Sequence, residues 1–365
     1  MRKANILIVI PLPPWYIGGV ELMAGEICER LKDSFNIRIY CTSYNNRIKT
    51  KKNVEEFDWK NITVRIFKGY NYGFSHHLYQ DIKKIENIDL IHVHNYSTLI
   101  PFLANKAIGD RKIPIVINPH FHIKPSSFLN AFLRKIYDVT LGKQIFHNVK
   151  IIICNSYSER LDLLSVFPKI KIPISIIYNG IRKKDIDIAQ PYISSHHVIL
   201  CVSRLEQYKN VQKVIESLPF LPEDYKLVII GSGSYEKKLF KLITIMRLGN
   251  RIEFKGNLTN EEVYCWYKTA NVFVHLSEIE SFGTTCLEAL AAGTPVVSNN
   301  DGCGLKEVID LFPEEIIPVD VRKDGSEAIA CAILKAEKIK VFSDLSSFDW
   351  DEIAKQFAYI YKSNL

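Results

Sequence analysis

SEIESFGTTCLEALAAGTPVVSNN, residues 277–300, carries two carboxylates, Glu280 and Glu288, eight residues apart. Eight residues are a little over two helical turns. A helix starting near Ser281 therefore leaves Glu280 just before its N-terminus and projects Glu288 from its second turn. Leu287, Ala289, Leu290 and Ala291 give that helix a buried face, Gly293 suits the C′ position, and Thr294-Pro-Val-Val-Ser298 reads as the strand that follows. Gly283 lets backbone approach a ligand closely, and a helix beginning there aims unpaired N–H groups and a positive dipole end at that spot, which suits a phosphate. Spacing alone fits equally well an ordinary helix-to-strand unit with two solvated glutamates.

At 365 residues the chain suits two domains of about 180, each able to bury its own core. Its content, 47% hydrophobic and 24% charged, is that of a globular protein, and no apolar run approaches the ~18–20 residues of a transmembrane helix. Arg2 and Lys3 precede an apolar run, 4–10, that ends in Pro11-Leu-Pro-Pro14 without a small-residue cleavage site, so a strand explains it better than a signal peptide. Eight cysteines are scattered without a C-x-x-C pair and read as buried free thiols in a reducing compartment, hence a cytoplasmic protein. The net charge of +7 is uneven: residues 1–180 hold 25 Lys and Arg against 14 Asp and Glu, and residues 181–365 hold 22 against 26. A basic first half suits an anionic membrane, a phosphorylated substrate or a nucleic acid. Nucleic acid ranks last, because no zinc pattern, RNP-like string or helix-turn-helix is present.

Along the chain, the 4–10 run leads through a Pro-rich loop to Gly18-Gly19. Helical periodicity then begins, with Val20, Leu22, Met23, Ile27 and Leu31, the start of a Rossmann-like unit. Strands are predicted at 36–42, 62–67, 88–94, 113–118 and 150–154 with helical patterns between most of them, which argues for a parallel, doubly wound sheet. Segment 45–60 reads as a polar surface excursion and 68–80 as a loop. His120 and His122 lie just beyond the 113–118 strand, where open α/β sheets place ligands, although a satisfied loop histidine fits as well. His92 and His94 alternate in a strand without an acidic or cysteine neighbour and read as structural; His76-His77 is a poor metal signal.

Segment 126–147 sets Phe128, Leu129, Phe132, Leu133, Ile136 and Tyr137 at helical spacing beside Arg134, Lys135 and Lys143. Such a stripe faces a core or lies on an anionic membrane. Asp185-Ile-Asp187 has the D-x-D spacing of a metal site but sits among lysines and reads as a solvated charge cluster. In the second half, Arg204 and Lys209 follow a strand at 197–203 and each can address a phosphate. Gly231-Ser-Gly-Ser234 follows a strand at 226–230 without the full dinucleotide fingerprint. Residues 251–256 and 271–275 are predicted strands, and 349–361 an amphipathic terminal helix.

Glu280-Ser-Phe-Gly-Thr-Thr-Cys-Leu-Glu288, with the Ala-Leu-Ala-Ala-Gly-Thr-Pro-Val-Val that follows, resembles the E-x7-E signature of retaining, GT-B-fold glycosyltransferases of family 4 (glycosyl transferases group 1). Gly18-Gly-Val-Glu-Leu-Met-Ala-Gly, Cys154-Asn-Ser156, Tyr178-Asn-Gly-Ile181 and Ser203-Arg-Leu with Lys209-Asn are similar to phrases of the same family. Gly304-Leu-Lys-Glu307 resembles its Gly-Gly-x-x-Glu phrase, with Cys303 replacing the first glycine. The resemblance covers nearly the whole chain, strongest in 200–310 and at 18–31, weakest in 45–150.

It implies an α/β GT-B fold: two Rossmann-like, doubly wound parallel-sheet domains facing across a cleft, 1–181 on the acceptor side and 182–348 for the nucleotide sugar, with a C-terminal helix at 349–365 crossing back. It assigns Glu288 to ribose hydroxyls, Glu280 to the transferred sugar, and Arg204 and Lys209 to the diphosphate. Gly18 and Gly19 border that diphosphate, Gly231 and Gly256 line the nucleotide and its base, and Ser281, Phe282, Gly283 and Thr284 complete the donor site. His120 takes the sugar-facing role, with His122 as the alternative, because Phe121 stands where relatives carry a small or acidic residue. The implied catalytic set is His120, Arg204, Lys209 and Glu280, with no metal and no cofactor. The substrates implied are a UDP- or GDP-linked sugar and a lipid-linked or glycan acceptor, met in the cytoplasm or at the inner face of the membrane. Two rivals stand beside this reading: an inactive GT-B accessory subunit, and a phosphorylase or epimerase of related fold. No lysine in a cofactor-type motif suggests pyridoxal phosphate.

Overall fold

Strand β1 (Asn5–Val9) is buried on both faces: Ile6 and Ile8 join one hydrophobic cluster, Leu7 and Val9 another. Period-two alternation with both faces apolar is what a parallel sheet covered by helices requires. The computed structural model describes residues 2–16, 18–43, 48–121, 135–300 and 304–365. The chain divides into two compact units, Met1–Asn179 with Trp350–Leu365, and Gly180–Asp349.

In the first unit, β1 is joined by β2 (Asn36–Thr42), β3 (Val54–Trp59), β4 (Ile62–Phe67), β5 (Leu90–His94), β6 (Ile115–Asn118), β7 (Val149–Cys154) and β8 (Ile174–Ile176), in the order β3-β4-β2-β1-β5-β6-β7-β8. All neighbours are parallel except β3 and β4. On one face, α1 (Gly19–Leu31) brings Met23 and Ile27 to the Ile6–Ile8 side, and the C-terminal helix (Trp350–Ser363) brings Ile353 and Phe357. Arg30 of α1 is paired with Asp351 at 2.7 Å and with Glu26, fixing the two helices together. On the other face, α2 (His76–Lys84) and α3 (Ile100–Ile108) cover Leu7 and Val9 with Leu78, Ile82, Ile100 and Ala104; α4 (Tyr157–Val166) adds Leu163. Each such side chain stabilises by about 1.5–3 kcal/mol, and truncating one, as in Ile8→Ala, costs about 2–5 kcal/mol.

The second unit is a six-stranded, all-parallel sheet: β9 (His197–Val202), β10 (Tyr225–Ile230), β11 (Ile252–Gly256), β12 (Val272–His275), β13 (Val296–Asn299) and β14 (Ile316–Val319), in the order β11-β10-β9-β12-β13-β14. Counted within the unit this is 3-2-1-4-5-6, the dinucleotide-binding order. Its helices are α5 (Lys183–Ile188), α6 (Val211–Ser217), α7 (Glu236–Met246), α8 (Asn260–Thr269), α9 (Thr284–Ala291), α10 (Gly304–Leu311) and α11 (Ser326–Ala336). Helix α8 starts with a capping box between Thr259 and Glu262, so its first turn is satisfied locally.

Four local expectations are corrected. Residues 54–59, read as part of a surface excursion, form edge strand β3. Lys60 and Asn61 take φ of 53° and 65°, the left-handed pair that lets two residues reverse a hairpin, while Glu55, Glu56 and Asp58 keep the edge soluble. Residues 76–80, read as the end of a loop, open helix α2 (His76–Lys84), started by Ser75, whose hydroxyl accepts from the Leu78 N–H. Asp185-Ile-Asp187, read as a solvated charge cluster, lies on helix α5, with Ile186 buried and Lys183 paired to Asp187 at 2.6 Å. The E-x7-E helix starts at Thr284 rather than near Ser281, so Glu280 stands in the loop before it.

Of segment 126–147, residues up to 134 lie outside the described residues. Beyond them Tyr137 turns inward, its hydroxyl donating to the carbonyls of Tyr96 and Thr98, while Ile136 and Val139 are exposed. His122 and Cys303 also lie outside the described residues.

Candidate active site

In an open α/β sheet the strand order reverses between two central strands, and the crevice beyond their carboxyl ends is where ligands bind. In the second unit that reversal lies between β9 and β12. The loops that leave these two strands are tied together. The Glu278 N–H donates to the Tyr208 carbonyl at 3.0 Å, and Asn210 Nδ2 donates to the Leu276 carbonyl and to Glu278 Oε1, each at 3.0 Å. Asn210 adopts a left-handed φ of 56°, which turns the chain out of the short Gln207–Lys209 helical turn and into α6.

This strapping sets Lys209 Nζ 2.5 Å from Glu280 Oε2, and His275 Nε2, at the end of β12, donates to the same oxygen at 3.3 Å. Lys209 is 9% exposed, Glu280 24% and His275 4%. Burial by itself would raise the Glu280 carboxyl; the His275 hydrogen bond and the Lys209 ammonium outweigh it and hold Glu280 well below the usual carboxylate range. Glu280 is therefore a fixed anion. Arg204, just after β9, is exposed and donates to the Tyr208 hydroxyl at 3.0 Å.

Glu288 sits in the second turn of α9 and differs from Glu280. Burial pushes its carboxyl up to about 7, against a hydrogen bond from the Tyr267 hydroxyl at 3.2 Å and the Arg182 charge. Gly283 precedes α9 with φ of 78°, and a Cβ there would come 2.6 Å from Leu305. Gly231, after β10, has φ of 125°, and a Cβ would meet the Ser203 carbonyl oxygen at 2.0 Å. The glycine turn therefore packs backbone to backbone against the Arg204 loop. Gly256 ends β11, where its carbonyl accepts from the Gly231 N–H at 2.7 Å. Phe282 is buried, its ring centroid 6.2 Å from that of Phe348, and belongs to the core. Ser281 lies in the loop and Thr284 opens α9.

The second unit thus brings together Arg204, Lys209, Glu280, Gly283, Thr284 and Glu288 on the loops and helix beyond β9 and β12. Gly18, Gly19 and His120 belong to the first unit. Gly18 is the N-cap of α1 and Gly19 its first residue. His120 follows β6 with a left-handed φ of 48°, and both ring nitrogens are engaged: Nδ1 accepts from Asn155 Nδ2 at 2.9 Å and Nε2 lies 3.2 Å from His94 Nδ1. Sequence reasoning passed over His275, Tyr267 and Asn155. His275 carried a signal, a histidine at a strand's carboxyl end five residues before Glu280, and Asn155 stood inside the family-like phrase Cys154-Asn-Ser156 without being given a role.

Among the described residues no group of three or more His, Cys, Asp or Glu side chains is placed to hold a metal ion, and no helix is long and apolar enough to cross a membrane.

Residues 17–184 match the model of Glycosyltransferase Family 4, and residues 183–341 that of Glycosyl transferases group 1. The chain is 29% identical over 235 residues to an uncharacterized glycosyltransferase of Methanocaldococcus jannaschii, covering 58% of this chain and 59% of that protein. It is 28% identical over 282 residues to the alpha-monoglucosyldiacylglycerol synthase of Streptococcus pneumoniae, covering 69% of this chain and 62% of that protein. The matches to these two curated relatives thus span about three fifths of their length. Among solved structures, Anabaena HepE in complex with UDP superposes with a TM-score of 0.79 at 18% identity, covering 98% of this chain and all of HepE. The two family matches run end to end over nearly the whole chain, the fold agrees with them, and the protein belongs to the family 4, group 1 glycosyltransferases of GT-B fold.

Proposed function

We propose that the protein moves a hexosyl unit from a nucleoside-diphosphate sugar to an acceptor hydroxyl with retention of configuration. The observation that carries this reading is the ion cluster at the strand-order reversal: Lys209 and Glu280 locked together at 2.5 Å, with Arg204 on the same loop and the first residue of α9 four residues beyond Glu280.

A glycosyl donor breaks its bond to a diphosphate, on which negative charge grows. Arg204, Lys209 and the free N–H groups of α9 stabilise that charge more in the transition state than in the ground state. Lys209 spends one of its three donors on Glu280, leaving others for a phosphate oxygen. These cations supply the stabilisation a metal would give, and the proposed reaction is metal-independent and uses no cofactor beyond its donor. Glu280, fixed as an anion, accepts hydrogen bonds from hydroxyls of the transferred sugar, and Glu288 from the ribose. No side chain in the set is suited to be a covalent nucleophile. Retention is assigned to attack by the acceptor on the face the leaving group departs from, the departing phosphate taking the acceptor's proton.

UDP-linked donors come first for testing, since HepE is seen with UDP. The acceptor is proposed to be lipid-linked or a glycan; the S. pneumoniae relative is by name a synthase of alpha-monoglucosyldiacylglycerol. Peripheral contact with anionic membrane through 126–147 follows from the apolar and basic character of that segment, and sedimentation with and without anionic liposomes tests it.

The deciding experiment is a thermal-shift screen of UDP- and GDP-linked hexoses followed by a donor-hydrolysis assay. A donor at 100 times its Kd stabilises by about 2.7 kcal/mol, or several degrees. Binding with hydrolysis supports the transferase. Binding without turnover under any acceptor supports an inactive subunit, and no binding at all overturns the reading.

A further inference from the structure

In the first unit, the carboxyl ends of β5, β6 and β7 carry neutral polar side chains with no part in the cation chemistry above. His92, His94 and Asn118 are fully buried and Asn155 nearly so. They form a continuous chain. The Tyr361 hydroxyl is 2.7 Å from His92 Nδ1, and His92 Nε2 is 2.7 Å from Asn118 Oδ1. Asn118 Nδ2 is 3.1 Å from Asn155 Oδ1, Asn155 Nδ2 is 2.9 Å from His120 Nδ1, and His120 Nε2 is 3.2 Å from His94 Nδ1.

One backbone carbonyl sets the direction of every bond in this chain. Asn118 Nδ2 also lies 3.0 Å from the carbonyl oxygen of Ile153, which can only accept, so that end of the amide is its NH2. Asn118 Oδ1 therefore faces His92 and accepts from its Nε2–H, leaving His92 Nδ1 to accept from Tyr361. In the other direction the Asn118 NH2 donates to Asn155 Oδ1, so the Asn155 NH2 faces His120 and His120 Nδ1 carries no proton. The neutral ring then bears its proton on Nε2 and donates to His94 Nδ1. The proton of His94 is left on its Nε2, a buried atom with no partner among the described residues.

We infer that the Ile153 carbonyl, acting through Asn118 and Asn155, locks His120 as the neutral Nε2–H tautomer with its one N–H held by His94, so that His120 serves the transfer as a neutral, fixed ring and not as a general acid or base. The role rests on the reading under Proposed function; the tautomer does not. Protonating Nδ1 would set its N–H against the Asn155 NH2. Turning that amide over would set its NH2 against that of Asn118, and turning Asn118 as well would set its oxygen against the Ile153 carbonyl. Asn155 and Asn118 are thus positioning residues.

The titratable groups along this chain are His94, whose ring stacks on that of His120, His92 from the same strand, Tyr361 from the C-terminal helix against His92, and Glu159 from α4 against the His120 backbone. Burial pushes both strand imidazoles down, His92 to about 4 against its hydrogen bond with Asn118. Glu159 accepts from the backbone N–H groups of Asn155 at 2.6 Å, Phe121 at 2.7 Å and His120.

The test is NMR of the full chain labelled with ring-15N histidine, with His120→Gln to identify the signal. The expected result is an unprotonated Nδ1, a protonated Nε2 and no titration between about pH 5.5 and 8. Asn155→Asp is isosteric and accepts from Asn118 with one oxygen and from His120 Nδ1–H with the other. In this variant the ring should move its proton to Nδ1 and titrate above its ordinary ~6.5. A wild-type ring that titrates in that range, or one that Asn155→Asp leaves unchanged, overturns the inference. The pH profile of UDP-hexose hydrolysis is the second readout: a new limb should appear in Asn155→Asp at the value NMR gives. Turnover with a titrating His120 would sink this inference and leave the proposed reaction standing; a locked tautomer with no turnover on any donor would do the reverse.

Discussion

At the carboxyl ends of β9 and β12, Lys209 and Glu280 face each other as ions, whereas beyond β5, β6 and β7 the chain from Tyr361 to His94 consists of neutral imidazoles, amides and a hydroxyl. Depth explains the difference. Glu280 keeps 24% of its side chain in contact with solvent, while His92 and His94 keep none. An ion sealed from water costs several kcal/mol that one partner rarely returns, but a neutral group can be buried outright if each donor meets an acceptor. Two sheets of similar winding therefore hold polar groups at equivalent places by different means. The shallow site is built to compensate charge, and the deep one to fix orientation.

The largest effect should come from breaking the ionic end. Glu280→Ala leaves the Lys209 ammonium, 9% exposed, without its carboxylate; a buried pair broken this way costs about 3–5 kcal/mol, and partial exposure of Glu280 places the expected loss near 3 kcal/mol in urea unfolding. Activity loss in this variant is then partly a folding effect, so Glu280→Gln, which keeps an acceptor for Lys209, is the cleaner probe of catalysis. Unfolding within 0.5 kcal/mol of wild type would show that the pair does not hold the loops.

Arg204 separates function from stability. It is exposed and donates to the Tyr208 hydroxyl, so Arg204→Ala should lower donor turnover by ~10²-fold, about 2.7 kcal/mol in the barrier, with stability unchanged. Full activity in the folded variant would remove Arg204 from the donor site.

At the neutral end, Asn118→Ala strands the His92 Nε2–H and the Ile153 carbonyl, at a cost of about 1–3 kcal/mol. Repeating both unfolding series in about 1 M salt sharpens the contrast: part of the Glu280→Ala loss should be screened, and the Asn118→Ala loss should stay as it is.

The same contrast explains what was legible in the sequence. The ionic end is assembled from short contiguous phrases, 204–210 and 280–288, whose spacing places them on adjacent loops once the strand pattern is read. The neutral end joins residues 92, 94, 118, 120, 155 and 361, and no local window holds more than two of them. His92 and His94 lacked acidic or cysteine neighbours in sequence and so read as structural; their partners are amides and a hydroxyl brought in by strand pairing and by a helix some 270 residues away. The strands themselves were visible because apolar runs flanked by turn residues recur. Strand β3 was not, because an edge strand with Glu55, Glu56 and Asp58 has no apolar face to show, and α2 was hidden behind the Gly- and Tyr-rich stretch before it.

The smallest effect concerns Glu288, which belongs to the ionic unit but is half-buried and has its carboxyl pushed up by desolvation, and it should reveal itself by two slopes of opposite sign. Its carboxyl titrates at about 7 in the folded chain, against about 4.3 unfolded. Between those values the folded state holds a proton the unfolded state has released, so its contribution to stability falls as pH rises through the window and is fully lost above it. Glu288→Gln should therefore melt with wild type near pH 4 and a few degrees above it at pH 8, each kcal/mol being worth about 2–4 °C. Glu159, also pushed up to about 7 by burial, contributes the same kind of slope and leaves a remainder in the variant. Donor binding runs the other way. A ribose hydroxyl needs the ionised carboxylate as acceptor, so the affinity of wild type for UDP should rise with pH up to about 7 and level off, and Glu288→Gln should bind more weakly and without that slope. Glu159 has no part in the binding slope. If Glu288→Gln still shows it, the ribose acceptor is another residue.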